Sequence, residues 1–192
     1  MLVIGNGESR YGIDISQYEG IKIGCNAIHR DYHVDHLICV DRRMVIDAIK
    51  SGANKKSIIY TRQDWVDGFK EHERIRTVPN LPYEGKDRWD EPFQWGSGPY
   101  ALLLAAKLAK DIKIIGFDLH SKNAFVNNIY KGTEGYDPSH KNAVDPRYWV
   151  HQIGMVFNLF PSRKFTIHQP KDWKLPSSWF YPNVSVDTFN RI

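Results

Sequence analysis

Short apolar runs recur along the chain, and most of them stop at glycine, asparagine or aspartate. Runs bounded in this way predict strands buried on both faces of a sheet. They occur at residues 2–5 (LVIG), 21–24 (IKIG), 36–40 (HLICV), 57–60 (SIIY), 112–117 (IKIIGF) and 164–168 (KFTIH). Residues 74–78 are a weaker candidate, because charges alternate through them and Pro79 follows. Helical spacing fills three of the intervals. An amphipathic stretch from Met44 to Ile49 follows the third run, and Tyr100 to Lys110 (YALLLAAKLAK) is rich in Ala and Leu with Pro99 placed in a first turn. Asp145-Pro146 offers an N-cap and a first-position proline for a helix through Phe160. Strands alternating with helices predict an α/β fold with right-handed crossovers. The expected architecture is a doubly wound, mainly parallel Rossmann-like sheet of about six strands, with helices on both faces.

Two long stretches show neither period. Residues 80–93 read as loop, and the polar, glycine-containing segment 119–144 is long enough to predict a lid-like role over a ligand. The reading is therefore one domain over residues 1–170, followed by an aromatic tail, 171–192, that contains Trp173, Trp179, Phe180 and Tyr181. The tail is expected to pack over the core or to support self-association into a homo-oligomer.

Composition narrows the class. The chain has 192 residues, 42% hydrophobic and 25% charged, which fits a single globular core rather than a disordered or fibrous chain. No apolar run approaches the roughly 20 residues that span a bilayer, and a cytoplasmic location is expected. Cys25 and Cys39 both lie beside apolar runs, where free core thiols are expected rather than a disulfide. A net charge of +4 and a pI near 9.0 fit a phosphate-bearing ligand better than nucleic acid, since Lys and Arg are scattered rather than gathered into a stripe.

Open parallel sheets bind ligands beyond the carboxyl ends of their strands. Asn6, Asn26, Asp41, Ser97 and Asp118 all fall near such ends. Gly5-Asn6-Gly7 after the first run reads either as a tight turn or as a place where a phosphate approaches main-chain N–H groups; it is not GxGxxG, because Arg10 stands at the third glycine's place. Gly96-Ser97-Gly98 before a helix repeats the pattern, with Ser97 a helix cap or a ligand contact. Asp118 is a ribose contact or a turn cap. His120 and His140 flank the 119–144 segment, where an imidazole could take a proton from an acceptor hydroxyl; surface histidines are the plainer reading. No DxD pair follows Asp41, Arg43 standing in its place, so no metal and no cofactor are expected.

The order of Gly5-Asn6-Gly7-Glu8-Ser9, Cys25-Asn26, Gly96-Ser97-Gly98-Pro99-Tyr100 and Ile115-Gly116-Phe117-Asp118 resembles the bacterial sialyltransferases that use CMP-activated sialic acid. The similarity runs from residue 1 to about residue 168 and is specific only in these blocks. The resemblance implies a metal-independent, inverting glycosyl transfer from a nucleotide sugar to a small glycan or other hydroxyl acceptor. It implies nucleotide contacts at Gly5, Asn6, Gly7, Asn26, Gly96, Ser97, Gly98 and Asp118, with His140 in Ser139-His140-Lys141-Asn142 as general base. Glu8, Gly96 and His120 stand where that family shows proline, threonine and a phosphate-binding tyrosine, which leaves Tyr130 or Tyr136 for the last role. The same blocks, with Asp41 and Gly116-Phe117-Asp118-Leu119, are also similar to the MptE-like diphosphokinases. That similarity implies ATP and Mg²⁺, with Asp41 and Asp118 as metal ligands. A nucleotide-binding module without catalysis is the non-enzyme alternative.

Overall fold

A computed structural model describes residues 1–83, 94–120 and 124–189. Among the described residues eight strands form one sheet: β1 Leu2–Ile4, β2 Lys22–Cys25, β3 His36–Ile38, β4 Ile58–Thr61, β5 Ile75–Thr77, β6 Asp111–Ile115, β7 Lys164–His168 and β8 Val184–Asp187. Their order is β5-β4-β3-β2-β1-β6-β7-β8, and every neighbouring pair is parallel. The chain is thus an α/β protein with a parallel sheet, as the alternating runs imply, but with eight strands instead of about six. The weak candidate at 74–78 does form β5. The tail supplies β8, which has no burial period because Ser185 and Val186 are exposed on an edge strand held by the β7 backbone.

The helices are α1 Arg42–Lys50, α2 Gln63–Val66, α3 Ser97–Leu108 and α4 Arg147–Leu159. α3 starts three residues before the expected Tyr100, with Gly96 at its N-cap, and ends two residues before Lys110. α4 starts one residue later than Asp145-Pro146 implies: Pro146 is the N-cap, and the Asp145 carboxylate accepts from the Arg147 backbone N–H at 3.0 Å.

Successive strand residues face opposite layers. Leu2, Ile4, Leu37 and Ile59 pack with Met44, Val45 and Ala48 of α1 on one face. Val3, Ile23, Ile38, Ile114 and Phe165 pack with α3 and α4 on the other. Ala101 to Ala106 of α3 are all buried, because α3 lies between the sheet and α4, which explains why that helix is apolar all round. Trp179 from the tail is 1% exposed; its ring meets Phe157 edge-on, and its indole N–H donates to the Val150 carbonyl at 2.8 Å. Residues 84–93 of the expected 80–93 loop, 121–123 of the 119–144 segment and the last three residues of the expected tail lie outside the described residues. Among the described residues no helix is long and apolar enough to cross a membrane.

Cys25 and Cys39 are free and buried. Burial pushes the Cys25 thiol up to about 12 and holds Cys39 well above the ordinary 9.0. A folded-state value above the unfolded one means that the native state keeps its proton where the unfolded state has lost it. The thiols' contribution to stability is therefore full below about pH 9 and falls away as the pH climbs toward 12. The urea midpoint is expected to drop between about pH 8 and pH 10.5 in wild type, and to drop less in Cys25→Ala. Equal drops in the two proteins would contradict this.

Candidate functional site

Beyond the carboxyl ends of β1, β2, β3 and β6 lies a cavity of about 360 Å³. It is walled by the loops that follow those strands, the N-terminus of α3, the segment 126–144 and the first turns of α4. β6 is laid down on the opposite side of β1 from β2, so chain connections leave β1 in both directions, and a crevice opens where they part.

The β1 and β6 loops are zipped together. The Gly5 N–H donates to the Ile115 carbonyl at 2.8 Å and the Gly7 N–H to the Gly116 carbonyl at 2.9 Å, which extends the ladder past both strands. A Cβ on Gly5 would run into the Gly116 carbonyl, and one on Gly7 would sit 2.5 Å from the Asp118 carboxyl carbon. Gly116 has φ +68, a left-handed conformation that suits glycine. The space that Gly5 and Gly7 leave free is thus taken by protein. Close approach of the two loops explains these glycines, in place of the phosphate approach that the turn suggests.

Asp118, 8% exposed, holds this junction together. Its carboxylate accepts from the Ser9 N–H at 2.8 Å, from the Ser9 hydroxyl in a short contact, and from Gln169 Nε2 at 3.4 Å. These donors occupy three of the roughly four acceptor positions of a carboxylate. Arg10, 3% exposed, braces the junction from behind. Its Nε donates to the Gly5 carbonyl at 2.7 Å, and its Nη2 to Asn6 Oδ1 at 3.3 Å and to the Tyr130 hydroxyl at 3.1 Å.

Three polar side chains knit the strand ends across the cavity floor. Asn6 Nδ2 donates to the Cys25 carbonyl at 2.9 Å. Asn26, at φ +49, accepts the Ser97 hydroxyl on Oδ1 at 2.9 Å, and Ser97 Oγ accepts from the Val40 N–H at 3.2 Å. His29 Nδ1 lies 2.9 Å from the Asn26 carbonyl and donates to it, which steadies a backbone turn that asparagine tolerates better than most residues. Ser97 is the first residue of α3 rather than its cap, and its hydroxyl ties the helix start to β2 and β3.

The remaining hydrogen-bonding capacity of the floor is donor-rich. Among the described residues, the Ser97 and Gly98 N–H groups at the start of α3 and Asn26 Nδ2 have no protein acceptor. The Tyr136 hydroxyl accepts from the Ala27 N–H at 3.3 Å and from Asn6 Nδ2 at 3.4 Å, so its own proton is left to donate. Burial pushes the Tyr136 hydroxyl up to about 12, so it keeps that proton throughout the physiological range. Such a floor fits an anion. Among the described residues, however, no Lys or Arg lines the cavity, whereas Asp41, Asp118 and Asp137 do.

The expected site residues thus divide. Gly5, Asn6, Gly7, Asn26, Gly96, Ser97, Gly98, Asp118 and Tyr136 all line the one cavity. Tyr130 does not: it is 5% exposed, with its hydroxyl donating to Asp31 at 2.7 Å while accepting from Arg10, so of the two tyrosines only Tyr136 faces the cavity. His120 and His140 are exposed and outside the lining. His140 sits in a turn between Asp137 and Ala143, both of which line the cavity. The segment expected to act as a lid is pinned along its middle. Ile129 N–H donates to the Asn6 carbonyl at 2.8 Å, Arg30 donates to Thr133 Oγ1 and to the Glu134 carbonyl at 2.9 Å each, and Lys131 pairs with Glu8. It forms a wall of the cavity.

Trp149, Val144 and Ile153 also line the cavity, and the sequence reading missed them. The signal was Asp145-Pro146: a helix starting there carries Trp149 in its first turn and Ile153 one turn on, on the same face. For the Mg²⁺ alternative, Asp41 and Asp118 do border one cavity, but neutral protein donors already engage Asp118. Among the described residues no group of three or more His, Cys, Asp or Glu side chains is placed to hold a metal. No family model matches the chain, nor does any curated protein or solved structure.

Proposed function

We propose that the chain is a sialyltransferase-like glycosyltransferase that takes a CMP-activated sugar and transfers the sugar, with inversion, to a hydroxyl acceptor. The observation that carries this reading is the charge character of the cavity: a floor of neutral donors beside carboxylates, with no lysine or arginine among the described residues. Neutral donors suit the single phosphate of a CMP-type donor. A triphosphate would bring several charges into a site with no cation to meet them.

In this reading the Ser97 and Gly98 N–H groups, Asn26 Nδ2 and the Tyr136 hydroxyl hold the phosphate, and they stabilise the charge it gains as it leaves. The acceptor oxygen bonds to the anomeric carbon, the carbon–oxygen bond to the phosphate breaks, and its electron pair departs with CMP. His140, carried between two lining residues, takes the acceptor's proton.

The test is thermal stabilisation by CMP, UDP, GDP and ATP, each with EDTA or with Mg²⁺, on wild type and Asn26→Gly. Glycine accepts φ +49 without strain, so the variant keeps the fold and loses only the amide and its Ser97 bond. Stabilisation by CMP in EDTA is expected, with a shift in the variant at least about fivefold smaller at equal ligand. Release of CMP from a CMP-sugar, abolished in His140→Asn with CMP binding intact, then supports catalysis. Binding without turnover in wild type leaves a non-catalytic module. Stabilisation only by ATP with Mg²⁺ would overturn the proposal in favour of a diphosphokinase.

A further inference from the structure

The floor of the cavity is polar, whereas its mouth beside α4 is apolar and aromatic. Trp149 lies in the first turn of α4 and is 37% exposed, although it lines a cavity. Its i+4 neighbour Ile153 is 1% exposed, so the helix is rooted in the core while its first turn presents an indole to the open space. Val144, 60% exposed, lines the same mouth.

The ring is seated against the start of α3. A Cβ on Gly96 would come 3.0 Å from Trp149 Nε1 and 3.3 Å from Cδ1, so the absence of a side chain at Gly96 is what lets the pyrrole edge approach the helix N-cap. The indole N–H has no acceptor among the described residues and so stays open to a ligand or to water. The donor groups of Ser97 and Gly98 follow Gly96 directly. An aromatic platform with an unused donor therefore abuts the part of the floor suited to an anion.

We infer that Trp149 is the stacking platform for the nucleobase of the bound nucleotide, the base lying on the indole while the phosphate sits at the start of α3. The inference rests on the nucleotide reading above and adds the orientation of the ligand and the residue that reads its ring. Stacking of a base on an aromatic side chain is sequence-tolerant and strong enough to change affinity by about tenfold or more. An anion and a flat ring joined by a short sugar match the two kinds of wall.

The test compares CMP with ribose 5-phosphate, which carries the anion and sugar but no base, by calorimetric titration of wild type, Trp149→Ala and Trp149→Phe. Wild type is expected to bind CMP about tenfold or more tightly than ribose 5-phosphate. Trp149→Ala is expected to remove that preference while leaving ribose 5-phosphate affinity within about twofold, and Trp149→Phe to restore most of it, since phenylalanine also offers a ring face. An unchanged CMP affinity in Trp149→Ala, or equal losses for both ligands, would overturn the inference and leave the nucleotide reading standing. Wild type that binds neither ligand would overturn both.

Discussion

Gly5→Ala is expected to cost about 3 kcal/mol or more of unfolding free energy and, on the nucleotide reading proposed above, to abolish CMP binding. The reason lies in backbone rather than side chains. A Cβ on Gly5 would meet the Gly116 carbonyl carbon and Phe117 Cδ2 at 2.9 Å each, besides running into the Gly116 oxygen, and none of these atoms sits at the end of a flexible chain. Relief requires the two loops to part, and that breaks the Gly5 and Gly7 N–H bonds that extend the ladder between them. The same loops hold Asn6 and Asp118 at the cavity wall, so stability and binding fall together. Gly68→Ala is the control: a Cβ there meets nothing within 4 Å, and stability should stay within about 0.5 kcal/mol of wild type. Urea denaturation of the three proteins decides it. A loss at Gly5 no larger than at Gly68 would mean that the loops can separate at little cost.

The second large effect concerns Arg10. Arg10→Met keeps most of the volume and removes the guanidinium, leaving the Gly5 carbonyl and Asn6 Oδ1 without that donor behind the cavity wall. Hydrogen bonds from a charged donor contribute about 1.5–3 kcal/mol, and a buried acceptor left unpaired costs about 1–3 kcal/mol. A loss of about 3 kcal/mol follows, and on the nucleotide reading CMP binding weakens as well, because Asn6 is no longer held from behind. Arg43→Met is the comparison. Arg43 is exposed and stands 4.0 Å from Asp41, a pair worth roughly 0–1 kcal/mol. Equal effects at the two arginines would show that Arg10 does not brace the junction.

Arg10 also marks where sequence reasoning stops. The pattern Gly5-Asn6-Gly7 with arginine at residue 10 says that the turn is not a dinucleotide fingerprint, but not that the arginine folds back under the turn to bind Gly5. Its guanidinium is also held by Tyr130, 120 residues away, which in turn donates to Asp31, 99 residues from Tyr130, and no local pattern encodes such bonds. The strands that are buried on both faces were legible, because burial imposes a continuous apolar run on them. β8 was not, since an edge strand owes its place to backbone pairing and leaves two of its four side chains exposed. The convergence of Asn6, Asn26, Ser97 and Asp118 on one cavity could be inferred from strand ends alone. The division of labour among them could not. Asp118 anchors a loop and Asn26 spans to a helix, and both roles depend on which neighbours arrive from distant segments.

The position of β1 bears on how the site comes into being. β1 separates β2 through β5 from β6 through β8, so the strands that follow it directly in sequence extend outward on one flank only. Asn26 belongs to that early flank, whereas Asp118 and Trp149 are synthesised after β6 begins and reach the cavity only when the later flank closes against β1. Neither half of the polypeptide can carry the site alone. The cavity draws its walls from both flanks, and a nucleotide that occupies it would touch both at once and so oppose their separation.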